Sequence, residues 1–253
     1  MRNFKIVLAY DGTDYVGWQR QPNGMSIQAL VEEALAPIEG GPVTVAGAGR
    51  TDAGVHALGQ VASVALTTSI EATALERALN ATLPPDVRVR EVTTVPPDFH
   101  ARFSAKSKVY RYQIRQAPSA GPFEHRHVWH VPQALDVRAM AEAARALGGR
   151  HDFSAFQGSG SDVARTERTV MEIGVCETPA AAETAVQGRL VAIEIEADGF
   201  LRHMVRNIAG TLVEVGLGRR PAADVAATLE ACDRRRAGPT APAQGLFLVR
   251  VRY

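Results

Sequence analysis

The chain has 253 residues, with 28 Lys and Arg against 27 Asp and Glu, a net charge of +1, and 46% hydrophobic residues. This excludes a largely disordered chain and a strongly basic tail, and leaves material for one large domain or two small ones. Only Lys5, Lys106 and Lys108 are lysines, so an anionic partner must be met by a local concentration of arginine.

In chain order, Phe4 to Tyr10 is rich in Ile, Val and Leu and reads as a buried strand. Residues 11–24 hold three glycines and a proline and read as a loop. Ser26 stands as an N-cap before Ile27, Leu30, Val31, Ala34, Leu35 and Ile38, which is helical spacing. Strands are expected over Val43–Ala48 and Gln60–Leu66, a second helix over Ala72–Leu83, and a strand over Val87–Val95. This β-α-β-β-α-β order is the ferredoxin-like arrangement.

The second half follows a similar plan. Strands are expected over Lys108–Arg115, Thr169–Glu177, Leu190–Ala197 and Leu246–Val251, with helices over Ala134–Leu147, Leu201–Val215 and Ala222–Cys232. The expected fold is therefore α/β (α+β), with two pseudo-symmetric halves of RNA-recognition-like plan, residues 1–103 and 104–253. Two stretches, 117–132 and 157–167, lack clear periodicity.

Several function classes lack their signatures. Cys176 and Cys232 are too few for a disulfide framework or a structural zinc site, and each reads as a buried thiol. His125, His127 and His130 lack the further ligands that a metal set needs. Phosphate-binding glycine loops and a Gly-x-Ser-x-Gly elbow are missing. No run of 18 apolar residues suggests a membrane span, and the N-terminus has no apolar signal region, so a cytoplasmic protein is expected.

Three segments can carry chemistry. Gly49-Arg50-Thr51-Asp52-Ala53-Gly54-Val55-His56 presents a carboxylate on a glycine-flanked turn between strands, where a ligand can approach closely. From spacing alone, Asp52 can equally close an Asx-turn. Residues 99–112 interleave cations with aromatics, which suits bases and phosphates but also suits a half-buried strand. Arg202 and Arg206 are four apart, which places them on one face of the expected helix, where an anion or a protein carboxylate would relieve their repulsion. The Arg234-Arg235-Arg236 run reads as solvated cations at a helix C-terminus.

Taken together, these segments resemble the tRNA pseudouridine synthase A family. The resemblance runs in order along almost the whole chain. It includes Tyr10-Asp11-Gly12 through Gln21, the Asp52 loop nearly letter for letter, Leu79 to Pro84, Phe99 to Ala105, His203 to Asn207, and Gly245-Leu246. It implies a cofactor-free and metal-free isomerase, working as a homodimer on tRNA and converting uridines 38, 39 and 40 of the anticodon stem-loop to pseudouridine, with a basic cleft between the halves. It also implies Asp52 as nucleophile, Arg206 as its ion-pair partner and Arg50 as the base-flipping residue. Tyr110, Leu246, Arg102 and His56 are implied to bind substrate. Two other readings remain open from the residues. One is a non-catalytic RNA-binding protein with tandem RNA-recognition-like units. The other is a glycoside-bond hydrolase drawing a second carboxylate from Asp11 or Asp14.

Overall fold

The computed structural model describes residues 1–160, 163, 165–178 and 188–253. Positions 161, 162 and 164 of the aperiodic 157–167 stretch lie outside the described residues. The elements are β1 (Arg2–Tyr10), α1 (Ile27–Glu39), β2 (Ala46–Gly47), β3 (His56–Leu66), α2 (Ala72–Thr82), β4 (Val87–Val95), β5 (Ser107–Gln116), β6 (Trp129–Val131), α3 (Val137–Ala144), β7 (Gly149–Asp152), β8 (Glu167–Thr178), β9 (Arg189–Ala197), α4 (Met204–Gly216), α5 (Asp224–Ala231) and β10 (Leu246–Arg252). They form two compact units, residues 1–106 with 247–253, and residues 107–246. Both are mixed α/β with mostly antiparallel pairing, as the element order implied.

In the first unit the strands lie in the order β4-β1-β3, with β2 on β3. This is the order of the split β-α-β arrangement read from the sequence. Alternation along β1 buries Phe4, Ile6, Leu8 and Tyr10. The pairing is antiparallel, with Ile6 opposite Ala62 of β3 and Val92 of β4. α1 starts where Ser26 Oγ accepts from the Ala29 N–H at 3.3 Å, and ends at Gly40 in the left-handed conformation. Its stripe of Ile27, Val31 and Leu35 is fully buried, as are Leu75 and Leu79 of α2. Phe247 and Leu248 of β10 run parallel to His56 and Ala57.

The strand expected over 43–48 shrinks to Ala46–Gly47. α1 supplies the reason: Glu32 Oε1 accepts from the Val45 N–H at 3.1 Å, and Gln28 Nε2 donates to the Val45 carbonyl at 3.1 Å. Side chains take the backbone groups that a longer strand would have paired. β3 in turn begins four residues earlier than expected, at His56.

In the second unit the order is β5-β9-β8-β7, all antiparallel, with β6 parallel to β5. The short strands β6 and β7 were not foreseen. The aperiodic stretch after β5 is ordered by a buried ion pair. Arg115 grips Glu124 with Nε at 2.9 Å and 3.0 Å and Nη2 at 2.6 Å, and Gly121 N–H donates to the same carboxylate at 3.3 Å. His125 and His130 each bond a backbone carbonyl, of Pro122 and Ala117 respectively. The helix expected from Ala134 is shorter, with Asp136 capping α3 through the Ala139 N–H at 2.9 Å and a 3-10 turn following over Arg145–Leu147.

Three expectations are corrected here. Cys176 and Cys232 are exposed thiols, one on β8 and the other at the left-handed residue that ends α5. α4 begins only at Met204, because His203 takes a positive φ of 58°. Arg202 therefore lies outside the helix and does not share a face with Arg206. Arg234 is not a solvated dipole partner. It donates to Asn207 Oδ1 at 3.0 Å and to the Gly238 carbonyl at 3.0 Å, while Arg235 pairs with Asp233 at 2.7 Å. Among the described residues, no helix is long and apolar enough to cross a membrane.

Candidate active site

Arg50, Asp52, His56 and Arg102 fall in the first unit, and Tyr110, Arg206 and Leu246 in the second. In the first unit, Asp52 is half-buried and Arg50 is exposed, on the turn that leads into β3. The turn is closed by the Val55 N–H donating to the Asp52 carbonyl at 3.1 Å. Its outer wall is the 11–24 loop: Trp18 N–H donates to the Thr51 carbonyl at 3.0 Å, and Gly54 N–H to the Tyr15 carbonyl at 3.4 Å. A Cβ on Gly17 would overlap the Thr51 carbonyl oxygen, so only glycine lets the two backbones meet.

Beneath the turn lies a buried polar chain. Gln60 Nε2 donates to the Gly49 carbonyl at 2.8 Å, and the Tyr10 hydroxyl lies 2.8 Å from Thr51 Oγ1. Burial pushes the Tyr10 phenol up to about 12, against the opposing effect of its bonds to Thr51 and Gln60.

His56, expected in the loop, is the first residue of β3 and is 1% exposed. Its Nδ1 lies 3.0 Å from the Gly12 nitrogen and 3.1 Å from Asp11 Oδ1, and its ring stacks on Phe247 with centroids 4.7 Å apart. Asp11 also accepts from the Thr13 N–H at 3.0 Å and the Thr13 hydroxyl at 2.5 Å. Asp11 therefore closes an Asx-turn of the kind weighed for Asp52.

Arg102 sits on a tight turn anchored at Ala101. The Ala101 N–H donates to Ser63 Oγ at 3.0 Å, and the Tyr253 hydroxyl donates to the Ala101 carbonyl at 2.8 Å. The turn projects Phe103, 76% exposed, with the His100 ring 4.4 Å away and the Arg102 guanidinium over its face at 5.5 Å. An exposed aromatic with a guanidinium over its face, on a fixed turn, is a surface on which a base can stack.

In the second unit, Tyr110 and Tyr112 are buried on one face of β5, and Arg111 turns to the other, paired with Glu194 at 2.9 Å. Tyr110 meets Phe200 edge-on at 4.9 Å. Tyr112 donates to the Pro242 carbonyl at 2.7 Å, and burial raises its phenol well above the ordinary range. Arg206, half-buried on α4, donates from Nε to the Ala241 carbonyl at 2.8 Å, while its own carbonyl accepts from the Ala241 N–H at 3.1 Å. This reciprocal pair fixes the arginine against the loop before β10, where Leu246 is buried. Arg202 instead donates to the carbonyls of Ser159 and Gly160, both at 2.9 Å.

Sequence reading missed the support around these residues, namely Tyr10, Gln60, Gly17 and Asn207. Asn207 is fully buried. Its Nδ2 donates to the Phe156 carbonyl at 2.7 Å, and its Oδ1 accepts from Thr240 Oγ1 at 2.6 Å. A polar residue inside the apolar run of α4 was the available signal.

Comparison with known proteins covers most of these residues, with Tyr110 and Tyr112 outside the stretches that the family model matches. The family model described as tRNA pseudouridine synthase matches residues 6–104 and 143–253. A protein named tRNA pseudouridine synthase A from Syntrophotalea carbinolica is 46% identical over 249 residues, covering 98% of this chain and 95% of that one. Proteins of the same name from Myxococcus xanthus (46% identical, 100% of this chain and 92% of that one) and Geobacter sulfurreducens (45%, 100% of both) are similar along their length. The chain belongs to the tRNA pseudouridine synthase family.

Proposed function

We propose that the protein isomerises uridine to pseudouridine in tRNA, at positions 38, 39 and 40 of the anticodon stem-loop, with Asp52 as nucleophile. The observation that supports this most is that the family match spans the Asp52 turn, and that this turn is braced on both sides by backbone and buried side-chain bonds. Pseudouridine formation breaks the uracil N1–C1′ bond, turns the base and joins C5 to C1′. The proton lost from C5 is balanced by one gained at N1, so the reaction consumes nothing.

A carboxylate can attack the sugar carbon or the base ring, and either role needs it ionised. Arg206 is proposed as the counter-ion of Asp52, because a guanidinium favours the charged carboxylate. Tyr110 is proposed to stack on the target uracil, with its hydroxyl near the C5 proton, and Leu246 to pack on the displaced ring. Arg50 would help draw the base out of the stem, a step of a few kcal/mol repaid by contacts elsewhere on the tRNA. Arg102, with Phe103 beside it, is proposed as one such contact. For His56, its burial and its contact with Gly12 support action through the base of the loop. The proposed active form is a cytoplasmic homodimer that needs no cofactor.

The test is tritium release from C5-labelled tRNA, followed by mapping of the modified positions. Release with pseudouridine at 38–40 supports the reading. Binding without release points to an RNA-binding module, and free uracil to a hydrolase.

A further inference from the structure

We infer that Tyr10 and Thr51, backed by Gln60, are positioning residues that set the orientation of Asp52. The inference rests on Asp52 being the nucleophile.

Thr51 immediately precedes Asp52 and is held at two points. Its carbonyl accepts from Trp18 N–H at 3.0 Å, and its Oγ1 lies 2.8 Å from the Tyr10 hydroxyl. The partner groups stand on stiff elements: Tyr10 ends β1 and Gln60 lies in β3, with Leu8 and Gln60 opposite each other in the register. At the Tyr10 oxygen, 3.5 Å away, the Gln60 amide nitrogen can only donate. The Tyr10 oxygen therefore accepts there, and the phenol proton is left for Thr51. The same amide holds the Gly49 carbonyl at 2.8 Å, so the chain entering the turn is tied to Gln60 directly at Gly49 and through the Tyr10 hydroxyl at Thr51.

Tyr10, Thr51 and Gln60 are all buried. Burying three polar side chains gains little net stability over well-packed apolar ones, and becomes costly if one partner is lost. What the chain gives instead is direction: apolar residues of equal size would fill the space without fixing the rotation of residue 51. A nucleophile has to be held within about 0.5 Å and 10–20° of its productive geometry. Displacement by about 1 Å can slow a reaction about a hundredfold.

The experiment compares Tyr10→Phe, Thr51→Val, Thr51→Ser and Asp52→Asn. It measures the single-turnover rate at saturating tRNA, the tRNA dissociation constant and the urea midpoint. Tyr10→Phe and Thr51→Val should slow the single-turnover step by about tenfold to a hundredfold, with tRNA affinity within about twofold of the parent. Thr51→Ser, which keeps the hydroxyl, should restore most of the rate. The variant that combines Tyr10→Phe with Thr51→Val should be no slower than the slower of the two alone, because both break one chain. A purely structural role would lower the urea midpoint and leave the rate of the folded protein unchanged, and that result overturns the inference. Loss confined to tRNA affinity, or failure of serine to rescue, overturns it as well. If Tyr10→Phe does not fold, the Thr51→Val and Thr51→Ser pair decides alone. An active Asp52→Asn refutes the functional reading itself, whereas an inactive Asp52→Asn beside a full-rate Tyr10→Phe refutes only the positioning role.

Discussion

Trp18 and Thr51 are joined backbone to backbone, the Trp18 N–H donating to the Thr51 carbonyl at 3.0 Å across a residue, Gly17, that has a φ of +102°. The contact fits only while Gly17 has no side chain. Gly17→Ala should therefore cost about 1–3 kcal/mol in backbone strain, with further loss from displacing the turn. Urea unfolding measures the first effect. The second should appear as a slower single-turnover rate in the fraction that remains folded.

The Arg115–Glu124 pair offers a test of how the second unit holds its 117–128 segment. Its side chains are only 3% and 13% exposed. Glu124→Leu alone should cost about 3–5 kcal/mol, because a guanidinium is then buried without its partner. Adding Arg115→Met should recover most of the loss. Chemical denaturation of the two singles and the double gives the coupling, and additive losses would contradict a direct pair.

Binding to tRNA should divide cleanly at the Ala101 turn. Arg102→Ala should weaken binding and reduce the salt slope by about one phosphate contact. Phe103→Ala should cost about 1–3 kcal/mol, the worth of one stacked base, and leave the slope unchanged because no charge is lost. Phe103 is exposed, so neither change should move the urea midpoint by much. Filter binding over a range of salt concentrations provides both numbers.

Alkaline pH should unfold the protein in a tyrosine-dependent way. Burial raises the phenols of Tyr10, to about 12, and of Tyr15, Tyr112 and Tyr253 further, with the bond to Asp86 adding to the rise at Tyr15. A group whose pKa is raised on folding gives its full stabilisation below its unfolded value of 10.0. That stabilisation is lost as pH climbs through the folded value. Stability should hold up to about pH 10 and fall above it. Tyr10→Phe should remove the part of the fall that is centred between 10.0 and about 12. An ultraviolet absorbance titration run beside a denaturation series checks both statements.

Local features explain which elements are legible in the sequence. β1 follows from a run rich in Ile, Val and Leu, and α1 from an N-cap serine ahead of helical spacing, each written within a short stretch of chain. The Asp52 turn was equally visible, because its glycines and carboxylate are contiguous. What escaped depends on residues far apart in the chain. β2 is short because Gln28 and Glu32 of α1 take the Val45 backbone groups. Arg234 looked solvated because its partner Asn207 lies 27 positions away. The start of α4 moved because His203, not a glycine, adopts a left-handed backbone, a conformation that few non-glycine residues take. The brace under Asp52 went unseen for the same reason, with Tyr10, Thr51 and Gln60 separated by up to 50 positions.

The decisive measurement is pseudouridine mapping on tRNA incubated with the purified protein and with its Asp52→Asn variant, alongside the tRNA affinity of each. The proposed chemistry requires modified uridines in the anticodon stem-loop with the parent, none with the variant, and comparable binding by both. Pseudouridine made at the parent rate by Asp52→Asn would contradict it.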